Sequence, residues 1–128
     1  MSDKALEGKI VAVDFDGVVH KYTTYKGKGV FEEPCDGVAW AMRMIKQEGG
    51  MVVINTCRRE TQDISDYLKK HGIPYDTINH SPRNKEFDLG DKKVAADFYI
   101  DDKGISFRGD WKETYLQMLN FKRWGLAL

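Results

Sequence analysis

Short apolar runs alternate along the chain with stretches whose apolar residues recur every three to four positions. Ile10–Val13 is a β-branched run of the kind that fills a buried strand. After it, Val38, Ala41, Met42 and Ile45 follow i, i+3, i+4, i+7, which predicts a helix capped by Asp36 and stopped by Gly49-Gly50. Met51–Ile54 reads as a second buried strand. Ile64, Tyr67, Leu68 and His71 repeat the helical spacing until Gly72 and Pro74 end it. Tyr75–Asn79 is a weaker strand and Asp97–Ile100 a stronger one. Asp110, with Glu113 three residues on, opens a last helix with a stripe of Trp111, Tyr115, Met118 and Leu119.

Strands alternating with helices predict β-α-β units, hence an α/β fold whose central sheet is mainly parallel. The chain has 128 residues and no internal Pro/Gly/Ser-rich linker, so a single domain over 1–128 is expected. Hydrophobic residues make up 41% and charged residues 31%, which argues against a wholly disordered chain. Lys+Arg and Asp+Glu balance at 20 each, so no uniformly basic, nucleic-acid-coating surface is expected. Cys35 and Cys57 make neither a disulfide framework nor a metal-type spacing. The first residues contain no apolar secretory core, and no apolar run approaches the ~20 residues that span a bilayer. The expectation is a cytoplasmic protein with no membrane partner.

In a parallel sheet ligands bind beyond the carboxyl ends of the strands. The first strand runs into Asp14-Phe15-Asp16-Gly17, and two carboxylates at the mouth of a buried strand oppose folding unless something compensates them. The fourth ends in Asp101-Asp102-Lys103-Gly104. The first segment can also be read simply as a turn, with Gly17 supplying positive φ, and the second by itself reads first as a turn. If those two strands are neighbours, four carboxylates converge in one place, where they cannot all stay ionised without a cation. Oxygen-only donors point to a hard ion, most simply Mg²⁺. The second strand ends in Asn55-Thr56-Cys57-Arg58-Arg59, where Thr56 offers a hydroxyl, either as a helix cap or as an anion ligand near a helix N-terminus. Lys93 precedes the fourth strand and by itself reads as a solvated surface lysine.

This ordered set, VDFDG, INT, a lysine and YIDD over residues 10–102, resembles the haloacid dehalogenase (HAD) superfamily of phosphohydrolases, and most of all its minimal, capless members. The resemblance implies a Rossmann-like three-layer α/β/α sandwich without a cap domain. It implies a Mg²⁺-dependent phosphatase in which Asp14 is the nucleophile that becomes an aspartyl-phosphate. Asp16 would be the general acid and then base, and Thr56 a ligand of the phosphoryl oxygens. Lys93 would be the neutralising cation, with Lys92 and Lys85 as alternatives. The metal would be held by Asp14, Asp101 and the main-chain carbonyl of Asp16, while Asp102 would bind it through water or orient Lys93. Gly17, Cys57 and Arg58 would contribute to substrate binding, Cys57 at most through its amide. Val18 stands where many members have Thr.

Residues 18–35 and 80–92 are long enough for a flap and a loop but not for a separate cap. An open site suits a macromolecular phosphate ester, a small substrate taken with little selectivity, or closure by a partner subunit in an oligomer. His20, Tyr22, Tyr25, Lys21, Lys26 and Lys28 in the first loop read as a solvated loop with packed aromatics, or as a surface that stacks and neutralises a nucleotide or phosphorylated nucleic-acid end. Arg58 reads as a second-anion ligand or a loop tie. The loops at this end carry more Lys and Arg than Asp and Glu, a basic rim around an acidic centre. The alternative to a phosphatase is a phosphate-binding or phospho-acceptor regulatory protein on the same fold with little or no turnover. The order of the motifs disfavours a signalling receiver, whose acceptor Asp stands on the third strand.

Overall fold

The computed structural model describes residues 4–90 and 92–124. Its elements, in order, are β1 (Ile10–Asp14), α1 (Val38–Gln47), β2 (Met51–Asn55), α2 (Thr61–Lys70), β3 (Thr77–Ile78), α3 (Pro82–Glu86), β4 (Phe98–Ile100) and α4 (Trp111–Leu119). The strands form one sheet in the order β3-β2-β1-β4, and every pairing is parallel. The α/β fold with a parallel sheet expected from the alternating periodicities is the one observed.

β1 and β2 are central strands and are buried along most of their length, which is why they read as continuous apolar runs rather than alternating ones. Their side chains still alternate between two cores. Val11, Val13 and Phe15 join Val52 and Ile54 on one face, against Val38 and Met42 of α1 and Ile64 and Leu68 of α2. Ile10, Ala12 and Val53 face the other way, against Val94 and Ala96. That second cover is held by α3, a short helix the periodicity did not predict. Buried Asn84 donates to the Gly90 and Lys93 carbonyls and accepts from the Ala95 amide. Ser81 Oγ donates to the Ala95 carbonyl.

Two aspartates pin the amino ends of the strands in the same manner. Asp97 accepts from the Ile10 amide (2.8 Å) and the Arg83 guanidinium (2.9 Å). Asp76 accepts from the Val52 amide (2.8 Å) and the Lys46 ammonium (2.5 Å). Each carboxylate satisfies a strand-end donor that has no ladder partner, and a cation balances its charge.

Several local expectations are corrected. Asp36 is exposed and caps nothing; α1 starts from Gly37, whose left-handed φ of 81° leaves no side chain to act as cap. The third strand is only Thr77–Ile78, and β4 begins at Phe98, one residue after Asp97, whose carboxylate accepts from the Ile10 amide. β4 is an edge strand whose three residues are all exposed, so its apolar run does not mark a buried strand. The stripe of α4 is exposed as well, with only Thr114 buried, although Asp110 does cap it through the Lys112 amide.

Phe15 is fully buried and contacts the rings of Phe31 (4.9 Å), His20 (4.8 Å) and Tyr67 (5.7 Å). Replacing it with alanine is expected to cost about 3–5 kcal/mol of unfolding free energy. Urea unfolding followed by far-UV circular dichroism measures this directly, and a loss below about 1 kcal/mol would show that the ring is not a core element.

Candidate active site

The parallel register sets the site. Asp14 pairs with Asn55 across β1 and β2, and Val13 pairs with Ile100, so Asp101 leaves β4 level with Asp14. Carboxylate oxygens of Asp14, Asp101 and Asp102 all lie within 4.8 Å of one another. Asp102 is the deepest: its side chain is 2% exposed, Oδ2 pairs with Arg123 at 2.5 Å, and Oδ1 is buried with no hydrogen-bond partner among the described residues. Asp101 is exposed, and its Oδ1 also accepts from the Lys103 amide (3.0 Å), so the turn reading and the cluster reading hold at once.

Burial is the main cause that raises the Asp14 carboxyl from 3.8 to about 7, followed by the negative charge of Asp101; an amide bond from Phe15 opposes them, and Asp102 and Asp16 add to the rise. A buried, unpartnered carboxylate oxygen next to a carboxylate that resists ionisation fits a bound cation. The donors are all oxygen, which suits Mg²⁺. Asp14, Asp101 and Asp102 are the side chains that would hold it.

Asp16 points elsewhere. Its carboxylate accepts from His20 Nε2 at 2.7 Å and from Arg58 Nε at 2.9 and 3.0 Å. It does not belong to the carboxylate cluster, which leaves only its main-chain carbonyl for the metal role that the resemblance implies. Burial would raise its carboxyl, but the bonds from His20 and Arg58 and the Arg58 charge outweigh that and hold it below the usual carboxylate range. His20 is 1% exposed; its Nδ1 accepts from the Glu32 amide (3.1 Å), so Nε2 carries the proton that Asp16 receives in hydrogen bond. Arg58 also pairs with Glu60 at 3.0 Å and stacks between Tyr25 and Phe31. The loop-tie reading of Arg58 therefore describes its observed contacts.

Thr56 does not cap a helix. α2 begins at Thr61, and Thr56 Oγ1 accepts from the Arg58 amide (3.1 Å), closing a turn. Cys57 is an exposed free thiol in this turn, ahead of the helix rather than at its start. Thr56 is fixed by Asn79, whose amide side chain accepts from the Thr56 amide (2.7 Å) and donates to its carbonyl (2.8 Å). Asn79 adopts φ 58°, a conformation that asparagine tolerates better than most residues. Lys93 is not brought to the carboxylates: its ammonium lies over the Tyr99 ring at 5.1 Å. Lys92 and Lys85 are exposed, and no contact from either to the carboxylates is found among the described residues.

Arg123 and Trp124 close the site from the far end of the chain. Besides Asp102, Arg123 donates to the Tyr22 carbonyl, and the Trp124 indole donates to the Gly17 carbonyl at 2.8 Å. Gly17 has φ 82°, and a Cβ there would come within 2.2 Å of Asp102 Oδ2 and 2.6 Å of Arg123. Only glycine fits. Sequence periodicity gave no sign of Asn79, Arg123 or Trp124; the Asn at a strand end was a faint signal for the first.

No family model and no curated protein matches the chain. Two solved structures do resemble it. One is a conserved protein coded by a locus of Bacteroides thetaiotaomicron, with TM-score 0.63 and 18% identity, covering 88% of this chain and 90% of that one. The other is a target protein from Vibrio cholerae, with TM-score 0.50 and 24% identity, covering 88% and 98%. At these identities the likeness concerns the fold.

Two outcomes follow from this geometry. In metal-free protein the native state binds the Asp14 proton more tightly than the unfolded state between pH 3.8 and about 7, so Asp14 lowers stability as pH rises through that window. Asp14→Asn lacks this titration. Its melting temperature should therefore gain on the wild type from pH 4 to pH 7 and stay ahead above it; a gap independent of pH would contradict the assignment. Gly17→Ala should lose about 1–3 kcal/mol in denaturant titrations through combined backbone strain and clash.

Proposed function

We propose that the protein is a Mg²⁺-dependent phosphatase that hydrolyses a phosphate monoester through an aspartyl-phosphate on Asp14. The observation that carries this reading is the convergence of Asp14, Asp101 and Asp102 within 4.8 Å, with the buried Asp102 Oδ1 unpartnered, beside a separately tuned carboxylate at Asp16. The ordered motifs of the HAD superfamily support it. The resemblance to capless members fits residues 18–35, where no helix intervenes between β1 and α1 and only isolated bridges such as His20 to Pro34 organise the loop.

In this reading an oxygen of Asp14 attacks phosphorus, and the bond from phosphorus to the leaving oxygen breaks. For this step Asp16 must first take up a proton, which it then gives to that oxygen. Asp16 then takes a proton from water, whose oxygen attacks phosphorus and frees Asp14 and inorganic phosphate. A Mg²⁺ ion, when bound, supplies positive charge that lets an anionic nucleophile approach an anionic ester. Thr56, set by Asn79, offers its hydroxyl to the phosphoryl oxygens. Lys93 serves as the neutralising cation once it exchanges the Tyr99 ring for the phosphate. Phosphate-ester substrate is the partner, and the described chain has no helix long and apolar enough to cross a membrane.

One observation favours the alternative of a phospho-acceptor with little turnover: His20 and Arg58 hold Asp16 in its ionised form, which is ready to act as base but not as acid. Phosphate release from p-nitrophenyl phosphate and a panel of phosphate esters separates the two. The phosphatase reading expects Mg²⁺-dependent turnover that Asp14→Asn lowers by about a thousandfold or more, in line with loss of a nucleophile. A stable acyl-phosphate on Asp14 without turnover would establish the alternative instead.

A further inference from the structure

A hollow of about 430 Å³ opens beside Asp16, bordered by Tyr22, Tyr25, Lys28, Cys57, Arg58, Arg59 and Glu60. That volume lies within the usual range for small-molecule sites. Because it adjoins Asp16 rather than the Asp14 cluster, it faces the group that would leave, not the phosphoryl group in transfer.

The charges around the hollow do not cancel. Asp16 and Glu60 are both already paired with Arg58. Lys28 and Arg59 are exposed and have no ion-pair partner among the described residues. Arg58, with 5% of its side chain exposed, spends Nε on Asp16 and Nη1 on Glu60, while its Nη2 is buried without an acceptor. The hollow is therefore bordered by two cations, Lys28 and Arg59, that the described residues leave uncommitted. The rings are braced from behind: Tyr25 against the Arg58 guanidinium at 5.1 Å, and Tyr22 against His20 at 5.9 Å and Arg123 at 5.8 Å. Rings held in place lose little freedom on stacking against a planar ligand.

We infer that this hollow receives a nucleoside that carries a second anionic group, so that the phosphatase acts on a nucleotide phosphorylated at two positions. The base lies against Tyr22 and Tyr25, and the phosphate that is retained meets Lys28 and Arg59. A sugar phosphate supplies no aromatic ring and an aryl phosphate no second anion, so neither engages both features. The same chemistry occurs in a mononucleotide bisphosphate and at the phosphorylated end of an oligonucleotide. This inference rests on the phosphatase reading for its catalytic step, but not for binding.

The test compares kcat/KM with Mg²⁺ for adenosine 3′,5′-bisphosphate, a 5′-phosphorylated oligonucleotide, adenosine 5′-monophosphate, ribose 5-phosphate and p-nitrophenyl phosphate. The bisphosphate or the oligonucleotide is expected to exceed ribose 5-phosphate by about a hundredfold, and the monophosphate by about tenfold, one charge-assisted contact being worth about that factor. Whichever of the first two is preferred identifies the source of the ligand. In the double variant K28A/R59A the ratio of bisphosphate to p-nitrophenyl phosphate turnover should fall about tenfold or more, while Lys112→Ala on α4 leaves that ratio unchanged. Equal turnover of bisphosphate and ribose 5-phosphate by the wild type would overturn the inference, as would a K28A/R59A variant that loses all substrates in the same proportion. If no ester at all is hydrolysed, the phosphatase reading fails, and calorimetry with adenosine 3′,5′-bisphosphate decides this one separately. Saturable binding to the wild type that weakens in K28A/R59A sustains it, and no binding ends it.

Discussion

The burial of Phe15 governs where the chemistry stands. A strand that alternates sides cannot bury Val13 and Phe15 in the α1–α2 core without sending Asp14 and Asp16 away from that core. Phe15 lies one residue past the last position of β1, so its ring extends the strand's pattern beyond its ladder. A slip of one residue would put both carboxylates into apolar packing, which no pairing available there would compensate. The position of two acids thus follows from the location of one phenyl ring. The parallel register of β4 then brings Asp101 alongside Asp14.

Having gathered its carboxylates, the fold treats them in two ways. Asp16 is neutralised within the protein by Arg58, accepts a further bond from His20, and stays ionised. Asp14 receives only an amide bond and is crowded by like charge, so its charged form is disfavoured. Asp102 lies between these cases, with one oxygen answered by Arg123 and the other left without a partner. Acids in neighbouring positions but in environments that push their proton affinities apart are what chemistry with two protonation tasks requires. The asymmetry arises from cations brought in by different segments, the turn after β2 and the segment after α4.

Much of this was legible in the sequence because local pattern encodes it. β1, β2, α1 and α2 were readable from apolar spacing, and the acidic pairs stood out because they break the pattern at strand ends. What was not legible depends on partners distant along the chain. Nothing local distinguishes the apolar run of β4 from that of β2; being at the edge is a property of the whole sheet. Asp36 looked like a cap, but the chain enters α1 through Gly37 in a left-handed conformation and no acceptor is in place. Thr56 preceded an apparent helix start, yet the helix begins five residues later and the hydroxyl closes its own turn. Asn79, Arg123 and Trp124 act on residues 23, 21 and 107 positions away, beyond the reach of any local rule.

That last separation has a consequence for biosynthesis. The loop after β1 is made before the groups that hold it: Arg123, which ties its Tyr22 carbonyl to Asp102, and Trp124, which donates to its Gly17 carbonyl. A nascent chain that has emerged through residue 110 already contains every acidic residue of the site and the whole sheet, but neither the Arg123 guanidinium nor the Trp124 indole. Until they arrive, Asp102 has no internal counter-charge and the Gly17 carbonyl has no indole donor. Closing a loop of that length adds little entropic cost beyond that of a shorter one. What it imposes is a bound on timing: the acidic loop cannot be fastened by Arg123 and Trp124 before translation has passed residue 124.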